Sequence, residues 1–396
     1  MPRVLICSRG GIGIRVGLRS QWSNPCEFKS HRLHQNQCKV GHSALIFCFL
    51  CDIIRKQATF YEREIKMSKM AKKVLISVAL LVIAIIAFSA CSNDAMYNTN
   101  SYEIDESFDN IEVKTDTADI EFVLSNEEKC KVSCDEKANL EYDVKISENT
   151  LMITLEDTRK WYQKIGFSFK ASKLIVYLPK TEYSSLLIEE TTGDIKIPKD
   201  FRFESIDANV STGNVSNSAS AKDLIKISAS TGNVCIENLI SKSINLTTTT
   251  GNITASDVKS DGEIKIKVST GKTILSNVSC DKITSYGSTG DISLSNVATT
   301  DKLFIERSTG DLKLDGCNAN EFYFETDTGD VKLEMCDAKE IFIETDTGDV
   351  TGTLLTSKVF LINTDTGRVN VPKTTVGGKC EITTDTGDIK ISLAEN

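Results

Sequence analysis

Histidine is nearly missing from this sequence of 396 residues. Its three histidines, His31, His34 and His42, all lie near the N-terminus. Imidazole is the most frequent general acid and base in enzymes and a common metal ligand. The rest of the chain therefore has no histidine to act as a catalytic base, which weighs against an enzymatic function.

Basic side chains are scarce after the first 91 residues. Residues 1–91 hold 14 of the 46 Lys and Arg residues but only 4 of the 55 Asp and Glu residues, so 32 basic and 51 acidic side chains remain, a net charge of −19. A chain this acidic repels nucleic acid and anionic lipid surfaces. We therefore expect no nucleic-acid partner.

Long apolar runs are also rare, and one stands out. Lys72 and Lys73 precede an apolar stretch from Val74 to Phe88, and "FSAC" follows at 88–91. This segment resembles the lipobox of bacterial lipoproteins, usually Leu-Ala/Ser-Gly/Ala-Cys, with Phe88 in place of the preferred Leu. The resemblance implies that residues 70–91 are a signal peptide and that Cys91 carries the lipid. The alternative is a plain transmembrane anchor, for which the run only just suffices in length.

The region before this segment has a different composition. Residues 1–66 hold 5 of the 13 cysteines, and 11 Lys and Arg residues against 4 Asp and Glu residues. A signal peptide begins near an initiator methionine, and Met67 or Met70 fits that position. We therefore expect residues 1–69 to be a spurious N-terminal extension. Their cysteines and histidines fit no zinc-binding spacing, so we expect no metal domain there.

The hexapeptide "TDTGDV" occurs at 326–331 and again at 345–350. Asp-Thr-Gly is also the signature of aspartic proteases, but those enzymes carry two copies separated by a whole lobe. Here Thr-Gly recurs in steps of 19 or 20 residues, and a fixed period of this length predicts a solenoid. The glycines are Gly193, Gly213, Gly232, Gly251, Gly271, Gly290, Gly310, Gly329, Gly348, Gly367 and Gly387.

Alignment on these glycines gives columns of like residues. The positions seven and five before the glycine, and two and four after it, are mostly apolar, with polar residues between them. This alternation, rich in branched Ile, Val and Thr, predicts about two half-buried strands per coil. We predict an all-β chain: a single-stranded parallel β-solenoid of about eleven coils over 191–396, an N-terminal β region and cap over 103–190, and a polar tether over 92–102.

Two cysteines share one column of the repeat. Cys317 and Cys336 stand seven residues after the glycine, as do Val297 and Leu355. We interpret them as small core residues, although an oxidised pair is geometrically possible between neighbouring coils.

The N-terminal β region also contains an aromatic interruption. The stretch "TRKWYQKIGFSFKA" at 158–171 breaks the strand rhythm. It is either a plug that closes the end of the solenoid or an exposed binding loop, and the sequence leaves both open.

The chain resembles a known bacterial family over residues 103–396. The opening "FDNIEVKTDTADIEF", then "LIVYLPKTEYSSLLIEETTGDI" and the serial "STGNV" and "TDTGDV" coils are similar to the β-solenoid family named "putative adhesin". The resemblance implies an envelope-associated domain that is not an enzyme and has no catalytic residues. We expect no cofactor, and a location on the extracytoplasmic face of the bacterial membrane.

These features favour a surface-anchored binding or scaffolding module. Its expected partners are the membrane, through a lipid or anchor, a cell-wall polymer or protein, and further copies joined end to end. One alternative is a polysaccharide-active enzyme, which needs paired, differently tuned acids. Another is a rod that binds divalent cations, because aspartates are expected to stack in two columns. These are Asp327, Asp346, Asp365 and Asp385 before the glycine, and Asp330, Asp349 and Asp388 after it.

Overall fold

The computed structural model describes residues 97–137, 139–160 and 172–395. The predicted extension over 1–69, the predicted signal segment over 70–91 with Cys91, and the aromatic residues 161–171 lie outside the described residues. Every regular element in the described ranges is a β-strand, which confirms the predicted all-β class. None of these ranges contains a helix long and apolar enough to cross a membrane.

The strands follow one another along the chain with short connections. They are β1 (Asn98–Ile104), β2 (Asn110–Leu124), β3 (Cys130–Glu136), β4 (Leu140–Ser147), β5 (Thr150–Asp157), β6 (Ser172–Leu178), β7 (Glu182–Thr192), β8 (Ile195–Ile197), β9 (Arg202–Thr212), β10 (Val215–Asn217), β11 (Ser220–Thr231), β12 (Val234–Ser241), β13 (Ser243–Thr250), β14 (Ile253–Ser260), β15 (Glu263–Thr270), β16 (Thr273–Cys280), β17 (Lys282–Thr289), β18 (Ile292–Thr299), β19 (Lys302–Thr309), β20 (Leu312–Asp315), β21 (Asn318–Thr328), β22 (Val331–Thr347), β23 (Val350–Leu354), β24 (Lys358–Thr366), β25 (Val369–Asn370), β26 (Gly378–Thr386) and β27 (Ile389–Leu393).

The middle of the solenoid has the predicted geometry. Each coil contains two strands that meet at the Thr-Gly corner, as β15 and β16 do, and each strand pairs in parallel with its equivalents one coil away. Ile266 lies opposite Leu246 on one side and Ser285 on the other, and its side chain is buried. In-register stacking thus places like residues on each other, so the apolar columns form one continuous core.

A second corner divides the later strand of each coil. Asn238, Asp257, Asn277 and Asn296 stand six residues after the corner glycine, and all adopt left-handed backbone with φ of 52–54°. Asparagine and aspartate tolerate this conformation better than other non-glycine residues. The bend shifts the alternation by one residue, so the positions seven and nine after the glycine also face the core.

The N-terminal end is closed by strands that leave the repeat order. β2 forms a coil of its own and lies between β7–β8 on one side and β5–β6 on the other, all parallel. β3 then pairs antiparallel with β6, and β4 with β5. β1 pairs antiparallel with β3, so residues 98–102, which the sequence assigned to the tether, belong to this cap.

At the C-terminal end the coils are stacked out of chain order. β26 pairs with β22 on one side and with β24 on the other, so the last strands of the chain are inserted between two earlier coils. β27 lies between β23 and β25 in the same way. The stacking therefore departs here from the order of the chain. Insertion satisfies both edges of the final strands, and the outermost coil is β24–β25.

One correction concerns Leu355. The sequence placed it in the column of Cys336, but a register shift puts Leu354 opposite Cys336 instead. Leu354 is buried, whereas Leu355 is 46% exposed. The coil is one residue shorter at this point, because it lacks the left-handed residue that the preceding coil has at Met335.

Candidate functional site

The corner glycines stack so closely that no side chain fits at them. At Gly251, φ is +145°, and an added Cβ would lie 1.9 Å from the carbonyl oxygen of Gly232. At Gly348 an added Cβ would lie 2.0 Å from the carbonyl oxygen of Gly329. Close backbone approach thus explains the glycine column. The side chains two residues before, one before and one after each glycine line this edge of the solenoid, and we call this surface the Thr-Gly face.

The residue after each glycine forms a hydrogen-bonded ladder along the Thr-Gly face. The backbone N–H of Asn252 donates to Oδ1 of Asn233 over 2.9 Å, and that of Asp349 donates to Oδ1 of Asp330 over 2.9 Å. The backbone N–H of Asp388 donates in turn to Oδ1 of Asp349 over 2.7 Å. The side-chain oxygen therefore caps the next coil, which is why Asp and Asn share this column.

Two basic residues interrupt or end the ladder. The side chain of Lys272 has no oxygen that could accept the backbone N–H of the next coil. Its Nζ lies 2.9 Å from Oδ2 of Asp291 and lowers the pKa of that carboxyl. Arg368, on the outermost coil, donates its N–H to Asp388 and pairs with it through the guanidinium. The repulsion expected within the aspartate column is thus relieved at these two places by cations of the chain itself.

The column two residues before the glycine divides the Thr-Gly face into two halves. The first half carries mainly exposed hydroxyl groups, from Thr191, Ser211, Ser230, Thr249, Ser269, Ser288 and Ser308. The second half carries exposed carboxylates, in the spatial order Asp327, Asp346, Asp385 and Asp365. Among the described residues, no group of three or more His, Cys, Asp or Glu side chains is arranged to hold a metal ion.

A cleft of about 720 Å³ opens in the hydroxyl half of the Thr-Gly face. Its walls come from β2, β5, β7, β9, β11 and β13, and Thr191, Ser211, Ser230 and Thr249 contribute hydroxyl groups to it. This volume lies within the usual range for ligand-binding cavities. Glu190 lines the cleft as well, and it is the most unusual group there.

Glu190 is a carboxyl group in a column of mostly small or apolar side chains. At this position, three residues before the glycine, other coils have the buried Val210, Ala229 and Thr248. Glu190 is buried there too, with only 5% of its surface exposed. Its Oε1 accepts the N–H of Ala118 over 3.2 Å and that of Thr192 over 3.0 Å. Ala118 stands where the first corner should have glycine, so Glu190 supports an irregular corner.

The electrostatic state of Glu190 follows from its surroundings. Burial raises its pKa to about 8, and the charges of Asp116 and Asp119 act in the same direction. The two backbone N–H donors oppose this rise. Its Oε2 is buried and has no hydrogen-bond partner among the described residues. The carboxyl is therefore largely protonated near neutral pH.

The predicted site residues have different outcomes. Cys91, the expected lipid attachment site, lies outside the described residues, so its role stays a prediction. Cys317 and Cys336 are buried free thiols, as expected for core residues. Sequence analysis missed Glu190, although a charged residue in a mostly small or apolar column, which Arg307 is as well, is a signal that could have identified it.

An aromatic row on the outer surface was also missed. Phe304, Tyr323 and Phe342 stack in successive coils with ring centroids 5.0 and 4.6 Å apart, and Lys302 lies 4.4 Å above the Tyr323 ring. The period of 19 residues between these aromatics was visible in the sequence. Stacking covers the ring faces, so this row stabilises the coils more than it offers a binding platform.

Comparison with known proteins gives one family. No curated protein matches the chain. Solved structures with similarity include a "putative adhesin" from Parabacteroides distasonis ATCC 8503 (12% identity, TM-score 0.34, covering 74% of this chain and 98% of that one). A "putative adhesin" from Parabacteroides merdae ATCC 43184 has 11% identity and a TM-score of 0.34, covering 76% and 98%. A "putative lipid binding protein" from Parabacteroides distasonis has 16% identity and a TM-score of 0.29, covering 74% and 96%.

The family match covers almost all of the solenoid and its cap. Residues 108–285 and 274–396 each match the Toastrack DUF4097 family. These segments include β2, which begins the stacked core, and the inserted strands β26 and β27, which complete it. The chain therefore belongs to the Toastrack DUF4097 family.

Proposed function

We propose that this protein is a non-enzymatic, adhesion-like binding module of the bacterial cell envelope. Its Thr-Gly face binds a repetitive partner, such as a cell-wall polymer or another protein. Residues 70–91 export the chain, and Cys91 or the apolar segment tethers it to the membrane. The acidic composition after residue 91 supports a partner other than nucleic acid.

The observation that carries this proposal is the regular column of exposed hydroxyl groups. Ser211, Ser230 and Thr249 each stand at the same position of successive coils, and neighbouring coils are spaced by about 4.8 Å. The Asp and Asn ladder beside them fixes the backbone from coil to coil. A preordered row of identical groups binds a repeating ligand with little loss of conformational entropy.

Co-sedimentation with purified cell-wall polymer and membrane fractions tests the proposal, with and without calcium. Ser230→Arg places a bulky side chain on the Thr-Gly face, and we expect it to weaken binding by about tenfold, which equals about 1.4 kcal/mol. Ser279→Arg is the matched control, because Ser279 is exposed on β16, away from this face. Absence of binding to every fraction, or equal loss in both variants, would contradict the proposal.

A second candidate function is end-to-end association of two copies through β24. In the described residues no strand pairs with the outer edge of β24, where Val359 and Leu361 are 37% and 50% exposed. Val369, on β25 of the same coil, is 49% exposed. An open, apolar strand edge favours pairing with another strand. Sedimentation velocity tests this: Leu361→Lys should convert a concentration-dependent dimer to a monomer, whereas a wild-type protein that stays monomeric at high concentration excludes it.

A further inference from the structure

We infer that the cleft binds an organic ammonium group, carried on a hydroxylated molecule, at Oε2 of Glu190. The inference rests on the proposed function, because the cleft is part of the Thr-Gly face. It goes further by assigning a position in the cleft and a chemical class of ligand.

The first argument is an unfilled hydrogen-bonding position. Oε1 of Glu190 is fully used by the N–H groups of Ala118 and Thr192. Oε2 is buried beside the cleft and has no partner within the described part of the chain. A buried polar atom without a partner costs free energy, so a ligand that supplies a donor here recovers that cost.

The second argument is the charge around the cleft. Asp116 lines the cleft, and Glu190 adds a second negative charge when it ionises near its pKa of about 8. Lys114, the lysine among the described lining residues, is already paired with Glu112 at 2.5 Å and with Glu189 at 3.7 Å. The nearby guanidinium of Arg159 is held by Asp157. The cleft therefore has an excess of negative charge, which attracts a cation.

The third argument separates an organic cation from a metal ion. The described residues contain no set of three or more acidic, cysteine or histidine ligands with suitable geometry. A cavity of about 720 Å³ is also far larger than a bare ion needs. An ammonium group on an organic molecule needs only one or two carboxylate oxygens. The hydroxyl groups of Thr191, Ser211 and Ser230 can then bind the hydroxyl groups of the same molecule.

Two probes that differ by a single group test the inference on the purified protein. D-glucamine carries an ammonium group on a six-carbon polyol, and sorbitol is the same polyol with a hydroxyl group instead. By calorimetric titration at about pH 8, we expect glucamine to bind at least about tenfold more tightly than sorbitol. Equal affinity for both probes, or no binding of glucamine, would overturn the inference.

Two neighbouring glutamates provide a matched pair of variants. Glu190→Gln keeps the Oε1 acceptor for both N–H groups and replaces only the unpartnered oxygen, so the fold is retained and glucamine affinity falls about tenfold or more. Glu189→Gln removes the same charge from an exposed neighbour and should change affinity by less than about threefold. If Glu190→Gln does not fold, Asp116→Asn takes its place, because Asp116 is exposed and lines the cleft.

The outcomes separate this inference from the proposed function. Envelope binding that persists while glucamine fails to bind overturns the ammonium site alone. Glucamine binding that is lost in Glu190→Gln, together with no binding to any envelope fraction, overturns the proposed function and keeps the site. Equal losses in Glu190→Gln and Glu189→Gln show a nonspecific charge effect and overturn the site.

Discussion

The guanidinium group of Arg307 occupies the space that a side chain at position 287 would fill. A Cβ at Gly287 would lie 1.6 Å from Nη1 of Arg307. Arg307 is only 3% exposed, and it donates to the carbonyl of Val268 over 3.1 Å and to Oγ1 of Thr273 over 3.3 Å. Burial lowers its pKa from the ordinary value, yet a guanidinium stays charged inside proteins.

The pair Gly287 and Arg307 should show strong energetic coupling. Gly287→Val alone clashes with Arg307, and Arg307→Val alone leaves a cavity, so each should destabilise the protein by about 1–3 kcal/mol. The double variant removes the clash with Arg307 but leaves the new Cβ 2.4 Å from the carbonyl oxygen of Val268. It should therefore recover about 1 kcal/mol of the summed loss and stay less stable than the wild type. Urea unfolding of the four proteins measures this coupling, and strictly additive effects would contradict the packing described.

Adjacent residues of β15 test the inward and outward faces of the coil. Ile266 is buried between Leu246 and Ser285, so Ile266→Asp places an unpaired charge in the core and should cost several kcal/mol. Lys267 is exposed, so Lys267→Asp should change stability by less than about 1 kcal/mol. Chemical denaturation midpoints compare the two variants. Similar midpoints would contradict the assignment of Ile266 to the core and Lys267 to the surface.

The ladder of the Thr-Gly face predicts which changes the "TDTGDV" motif tolerates. The side chain of Asp349 accepts the N–H of Asp388, and in another coil the side chain of Asn233 accepts the equivalent N–H of Asn252. Asp349→Asn should therefore be close to neutral, whereas Asp349→Ala should lose about 0.5–1.5 kcal/mol. Thermal unfolding distinguishes the two variants. An alanine variant as stable as the asparagine variant would show that the ladder bond contributes nothing.

Glu190 predicts a loss of stability as the pH rises. Its pKa is raised from 4.5 to about 8 in the folded protein, so between these values the folded state holds a proton that the unfolded state has released. The stability contribution is therefore fully present below about pH 4.5, is lost progressively up to about pH 8, and amounts to a few kcal/mol at most. Glu190→Gln should flatten this part of the profile of unfolding free energy against pH. An unchanged slope in the variant would assign the titration to other groups.

Cys91 remains the predicted point of membrane attachment. If it is lipidated, Cys91→Ser should abolish metabolic labelling by fatty acid and leave an unprocessed precursor in the membrane fraction. Normal labelling of the variant would exclude Cys91, and processing without labelling would favour cleavage by an ordinary signal peptidase. Phe88→Leu, which restores the preferred lipobox residue, serves as a positive control.

The repeat itself could be predicted because its causes are local. Glycine at a tight corner, branched residues in alternation and a period of 19 or 20 residues indicate a parallel β-solenoid without any knowledge of distant contacts. The sequence predicted both aspartate columns, and the ladder bonds explain the column that follows the glycine. The left-handed corner at Asn238 and its equivalents also had a local signal, a column of Asn and Asp, which alternation alone did not identify.

Only the tertiary structure decided the order of the coils at the two ends. "TDTG" is the same at 345–348, 364–367 and 384–387, so the coils offer nearly equivalent edges, and local sequence cannot choose the neighbour of each strand. In the structure β26 lies between β22 and β24, and β2 lies between β6 and β7. These positions pair both edges of the inserted strands. The same non-local stacking brings Glu190 to Ala118 and Arg307 to Gly287. Sequence alone therefore determined the coil, whereas packing between coils determined the cleft and its buried carboxyl group.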